Sequence, residues 1–390
     1  MKRYEIFCYF RQLAKQYGPL YRTWVGNIPA VHITSPEYVE LILNNSTHIT
    51  KGYGYKFLAP WLGDGLLLSK GEKWHRNRKL LTPAFHFKIL ENFIDLFVDK
   101  SKFLVKLLDN EANGNSFNIF PYITRCALDI ISETAMGIQV NAMIQEKNEY
   151  VDAIYGVCSA IVYRFARIWL HPDFIYNNTD RGRSYFKDLS VLHSTTNRVI
   201  NERKHILHQV QDNNKETQDT FGKKRHKAFL DILLEVSRTN TELTHEQIRE
   251  EVDTFMFEGH DTTTASICWT IFLLGLHLDI QQQAFEEVSR VLLDDKSLEF
   301  SDLSELKYLE RVIKESLRLY PSVGMISRLA AHDIKIDNYT IPAGTTFQID
   351  SIQIDFYLKI LKIAILTLTF HLVLAQEIAL VKNLLCMKKR

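Results

Sequence analysis

Cysteine is scarce in these 390 residues, and the five present (Cys8, Cys126, Cys158, Cys268, Cys386) are scattered and never form a C-x-x-C pair. An odd, dispersed set excludes a disulfide framework and a structural zinc site, and fits a reducing compartment. An excess charge of either sign is also missing. With 47 Lys plus Arg against 46 Asp plus Glu, the formal charge is +1, which supplies no long-range field to draw in nucleic acid. The opening segment lacks a continuous apolar stretch too. The opening MKRYEIFCYFRQLAKQYG is charged throughout, so it reads as neither a signal peptide nor an N-terminal membrane anchor. Glycine (16) and proline (9) are too few for a collagen-like or low-complexity chain. What remains is an ordinary globular balance, 46% hydrophobic and 24% charged. The length suits one large domain or two to three smaller ones.

The order of elements is mostly legible. Residues 19–34 carry β-branched and aromatic residues around Gly26-Asn27, as a hairpin would. Ser35 and Pro36 then start a helix, and the reading stays mainly helical to about residue 330. Pro121 to Gly137 has proline near its start and glycine where a left-handed terminator belongs. The polar run Gln211 to Lys227 reads as an exposed loop. Thr244, with Gln247 three residues on, opens a long helix through a capping box. A further helix from about Ser304 stops before Pro321, and residues 333–349 read as short strands. The expected fold is mainly α with a small β-rich part. From Ser351 onward, 25 of 40 residues are apolar and neither Gly nor Pro occurs. The uncharged stretch Ile363 to Ala375 is shorter than the about 20 residues that span a bilayer, so a surface or core helix is expected there.

Three stretches could carry chemistry. In EVDTFMFEGHDTTTASICW (251–269), Glu258, Asp261 and Thr262 lie inside an apolar helix. Either the carboxylates are paired, or they face a cavity holding a polar ligand, or the polar stripe faces solvent. Gly259 in mid-helix would let a flat ligand approach the backbone. In EKWHRNRKLLTPAFHF (72–87), Trp74 and Arg78 stand four apart on one helical face and could reach one ligand. In KESLRLYPSV, Glu315 and Arg318 are three apart, within ion-pair reach.

Together, in this order and with ALDIISETAMG at 127–137, these stretches resemble the cytochrome P450 superfamily, in its family-four, fatty-acid ω-hydroxylase-like branch, over roughly residues 10–350. The resemblance implies a P450-like helical domain in residues 1–350, a haem cofactor, a small apolar substrate, an NADPH-dependent reductase and an endoplasmic reticulum membrane location. It implies that Asp261 and Thr262 relay protons during dioxygen activation. Trp74, Arg78 and Arg328 would contact the haem propionates, Glu258 could esterify the haem, and Gly259 would face it. Glu315 and Arg318 would form a buried structural lock.

One part of the resemblance fails. Haem-thiolate enzymes take a cysteine as the proximal iron ligand, presented in an F-x-x-G-x-R-x-C-x-G loop. These 390 residues contain no such loop, and Cys386 in NLLCMKKR does not match it. No metal ligand is assigned. The chain therefore reads as a P450-like domain incomplete at both ends, with an unrelated apolar tail at 351–390. Two functions follow: a haem-thiolate monooxygenase, or a non-catalytic helical remnant that binds apolar ligands or partner proteins.

Overall fold

The computed structural model describes residues 3–350 except 86–90, 113, 146, 213–227, 240–242 and 293–297. The apolar tail at 351–390 and most of the polar run at 211–227 lie outside the described residues. The expected hairpin is present as β1 (Leu20–Val25) and β2 (Ile28–Ile33), antiparallel, with Tyr21 opposite His32. Four strands follow near the other end of the described chain: β3 (Met325–Leu329), β4 (Ile334–Ile336), β5 (Tyr339–Ile341) and β6 (Thr346–Asp350). β6 lies between β2, its parallel neighbour, and β3, its antiparallel one, so the sheet order is β1-β2-β6-β3. The β4–β5 hairpin stands apart. One sheet thus joins segments from opposite ends of the described chain, and Ile33, Ile334, Phe347 and Ile349 fill a small core beneath it.

The helices are α1 (Arg3–Tyr17), α2 (Pro36–Leu43), α3 (Ala59–Leu62), α4 (Gly71–Leu81), α5 (Ile94–Asp109), α6 (Phe120–Ile131), α7 (Glu149–Phe165), α8 (Asp173–Tyr176), α9 (Asp180–Asp212), α10 (Phe229–Thr239), α11 (His245–Leu276), α12 (Leu278–Val291) and α13 (Lys307–Leu319). The fold is mainly α with a small β part, as expected. No single described helix is long and apolar enough to cross a membrane.

The organising element is α11. Its start is the capping box read from the sequence: Thr244 Oγ1 accepts from Gln247 N, and the Gln247 side chain accepts from Thr244 N. It packs against α6, α9 and α13, which is why apolar residues surround it on all sides instead of forming one stripe. The α6 segment runs on through a π turn, Ser132–Met136, and ends at Gly137, whose φ of +67° only glycine adopts without strain.

Three local expectations need correction. The helix expected from about Ser304 starts at Lys307 as α13, after a separate 3-10 turn at Phe300–Ser304 in which the Asp302 carboxylate accepts from Glu299 N. Ser35 stands at the start of α2 without capping it, since its hydroxyl donates to the Glu37 carboxylate instead. The Glu315–Arg318 pair forms with two hydrogen bonds of 2.7 Å but is not buried: the side chains keep 56% and 31% of their exposure. The helix face that carries them is turned outward, so the buried lock that the resemblance implied is not what this pair forms among the described residues; it acts as a surface ion pair.

Candidate functional site

Two elements from distant parts of the chain build one wall of the site. Lys51 forms an isolated antiparallel bridge with Arg328 of β3, reinforced by Leu329 N donating to Thr50 O at 2.8 Å. The adjacent Gly52 permits this close approach, for a Cβ there would come within 2.7 Å of Thr346 Cγ2. Opposed residues in such a bridge project to the same side, so two cations are set facing one another. Trp74 on α4 lies alongside, with Lys51 Nζ 6.0 Å from its ring centroid. Arg78 follows one turn later.

The charges do not balance. Among the described residues neither Arg78 nor Arg328 pairs with a carboxylate, and the Arg328 guanidinium donates only to Ser327 O, at 3.0 Å. Glu258 on α11 is the acidic group that acts on Lys51. Burial pulls Lys51 down to about 8 and pushes the Glu258 carboxyl up to about 7, while each partly restores the other's charge. The Trp74 Nε1–H is buried with no acceptor. Glu258, Lys51, Arg328 and Tyr55 all lie deep in the protein and still keep part of their surface open. Tyr55 also lines an adjoining apolar cavity.

Farther along α11, Thr262 Oγ1 donates to Glu258 O at 2.6 Å, and Ser322, just past α13, donates to Thr262 O at 2.8 Å. Burial raises the Asp261 carboxyl above its ordinary range, partly opposed by neighbouring His260. Tyr155 and Cys158 of α7 are among the groups that feel the Asp261 charge. The expectation for Gly259 needs correction. A Cβ there would come within 2.7 Å of Ile131 Cδ1 and Cγ1, so the glycine serves the close packing of α11 on α6 and its open space is already taken.

A cavity of about 270 Å³ adjoins this cluster, lined by Val25, Ile28, Leu58, Val162, Phe165 and Ile326 among others, with Tyr55 and Ser327 at the shared wall. Its lining is largely apolar, as a site for a hydrophobic ligand requires.

The family resemblance grouped Trp74, Arg78, Glu258 and Arg328; in the structure Lys51 stands between Trp74, Arg328 and Glu258, and Arg78 lies one turn along α4 from Trp74. Sequence reasoning missed Lys51 and Tyr55, which belong to no motif, and it missed Glu251. Glu251 accepts from Leu66 N at 3.0 Å and from Asn77 Nδ2 at 2.8 Å, tying α11 to the helix that carries Trp74 and Arg78.

The comparisons agree with this architecture. The family described as Cytochrome P450 matches residues 2–354. The chain belongs to the cytochrome P450 family. It is 46% identical over 333 residues to cytochrome P450 4c3 of Drosophila melanogaster, covering 83% of this chain and 62% of that relative. Against cytochrome P450 4c21 of Blattella germanica it is 44% identical over 338 residues, covering 86% and 68%. Against human cytochrome P450 4V2 it is 44% identical over 330 residues, covering 84% and 63%. The chain thus spans less than two thirds of the Drosophila and human relatives.

Haem is the cofactor of this family, and the residues present fit one side of it. Surplus cations and an orphaned indole N–H beside an apolar cavity are what two propionates need. Among the described residues the thiolate side does not fit. The free cysteines with described side chains are Cys126, Cys158 and Cys268, and burial pushes each thiol up to about 12, opposite to what a thiolate ligand requires.

Proposed function

We propose that this chain is the greater part of a haem-dependent monooxygenase, hydroxylating a fatty acid or similar small apolar molecule with dioxygen and electrons from an NADPH-dependent reductase. The observation that supports this reading is the cluster of Lys51, Trp74, Arg328 and Glu258, with Arg78 one turn along α4 from Trp74, next to an apolar cavity whose wall includes Tyr55 and Ser327. Haem, when bound, supplies the activation of dioxygen. The protein's own residues hold carboxylates, exclude water and position protons.

Arg78 and Arg328 supply guanidinium forks suited to carboxylates, and Trp74 Nε1–H supplies a neutral donor. Asp261, kept above its ordinary range by burial, retains a proton more readily than an exposed aspartate. That is the property required of a carboxyl that hands protons on. Thr262 Oγ1 already donates to Glu258 O, so its lone pairs are free to accept a proton from a neighbouring donor. Glu258 is read as a cofactor-side carboxylate, and Gly259 as the close-packing residue beneath it. Phe165, Ile28, Val25 and Ile326 keep water from the substrate.

In this reading residues 1–350 form the domain, 351–390 are a separate apolar tail, and Glu315–Arg318 braces α13. Exposed Ile168, Trp169 and Phe174, the latter two 66% and 73% exposed, suit contact with the surface of the endoplasmic reticulum membrane.

The test is the carbon-monoxide difference spectrum of the reduced, haem-loaded chain. The monooxygenase reading requires a thiolate-type Soret band. A folded, haem-loaded sample without it overturns the monooxygenase reading for these 390 residues. The raised cysteine thiols favour a second reading, a non-catalytic module that binds apolar ligands. Saturable uptake of a fluorescent fatty acid by the haem-free chain would support it, and a folded sample with no saturable signal would remove it.

A further inference from the structure

The bridge between Lys51 and Arg328 poses a problem that the roles proposed so far leave open. Like charges directly opposite in a β bridge repel, and both of these are withdrawn from bulk water. Arg78, half-buried one turn beyond Trp74, adds a third cation without a carboxylate partner among the described residues. Glu258 answers only one of the three. Glu251, two turns earlier on α11, is already engaged with Leu66 and Asn77. The wall therefore carries a surplus of two positive charges beside an unsatisfied indole N–H. A surplus of this size in a partly dehydrated cavity calls for a bound dianion.

We propose that Lys51 is an anion-binding residue of this site, taking one carboxylate of a dicarboxylate tetrapyrrole alongside Arg328 and Trp74, with Glu258 as its counter-ion when no ligand is bound. This rests on the haem-site reading above and adds to it a residue outside every motif in the chain. A primary ammonium on a four-carbon stem suits the exchange, because it can swing from one carboxylate to another without matching a planar fork. Lys51 lies where it can do so: its backbone is pinned at the bridge, while among the described residues its ammonium group makes no hydrogen bond or close ion pair and has the Trp74 ring centroid 6.0 Å away.

The experiment uses the full 390-residue chain and two iron-free probes, protoporphyrin IX and its dimethyl ester, followed by porphyrin fluorescence. Iron ligation plays no part in either. Wild-type protein is expected to bind the diacid at least tenfold more tightly than the ester. Lys51→Met, similar in length and uncharged, should lower diacid affinity about tenfold, the effect of losing one charge-assisted contact, and leave ester affinity unchanged. Lys51→Arg should restore most of the loss. If wild type shows no preference for the diacid, the haem-site reading itself fails. If the preference exists and Lys51→Met keeps it, the assignment of Lys51 fails and the site reading stands. Should Lys51→Met not fold, wild-type protein decides the matter by acetylation of lysines with acetic anhydride, read by peptide mass spectrometry. Protection of Lys51 by the diacid and not by the ester supports the assignment, and equal labelling with both overturns it.

Discussion

Glu251 offers a quantitative test of how the buried carboxylates of α11 govern stability. Its side chain is 2% exposed, and burial pushes it from an ordinary 4.5 up to about 7, against the lowering effect of Leu66 N and Asn77 Nδ2. The folded state therefore holds the proton over a range where the unfolded chain has released it. Where the native state binds more protons, stability falls as pH rises. The loss begins above about 4.5, the unfolded value, and is complete once pH has passed through about 7. Integrating between pH 5 and pH 8 gives roughly 2.5 kcal/mol for this one group, an order-of-magnitude figure. Glu251→Gln keeps the shape and cannot ionise. Its amide oxygen can accept from Leu66 N while its NH₂ donates to Asn77 after that side chain turns over. Urea unfolding of wild type and Glu251→Gln at pH 5 and pH 8 isolates the effect, because Asp253, also near 7, contributes equally to both proteins and Glu258 differs only by losing the minor repulsion of the Glu251 charge. The variant should lose about 2.5 kcal/mol less than wild type across that interval. Equal losses within about 0.5 kcal/mol would refute the idea that Glu251 is protonated in the fold at neutral pH.

Arg203 is 2% exposed and donates two bonds to the Asp231 carboxylate, at 2.6 and 2.7 Å, besides donating to Gly137 O. Asp231→Ala should cost about 3–5 kcal/mol in urea unfolding, and pairing it with Arg203→Met should recover much of that, since the stranded charge causes the loss. Thr244→Ala removes one bond of the α11 capping box and should cost about 1 kcal/mol, read as a lower thermal midpoint. Glu315→Ala, in an exposed pair, should cost less than about 1 kcal/mol by the same melts; a cost near 3 would mean the pair is buried in solution after all.

Much of this was legible beforehand where the cause is local. The β1–β2 hairpin, the capped start of α11 and the glycine end of the α6 segment follow from turn residues, caps and left-handed positions within a few residues of one another. The grouping of Trp74, Arg78, Glu258 and Arg328 could be expected from the family resemblance, although hundreds of residues separate the first from the last. Local patterns mislead where a competing partner intervenes. Ser35 lies in a capping position and its hydroxyl is taken by the Glu37 carboxylate. Glu315 carries a family motif, yet its helix face is turned to solvent.

By itself the sequence determined the fold class, the order of the elements, the family and the absence of its cysteine loop from these 390 residues, because each of these is written in residue types and short spacings. Tertiary structure alone decided that Gly259 packs on Ile131, that Glu251 ties α11 to α4, and that Lys51 faces Arg328 across a bridge. Those facts depend on which distant backbones lie side by side. Long-range pairing is set by the joint burial of many side chains and leaves no local pattern at the residues it brings together.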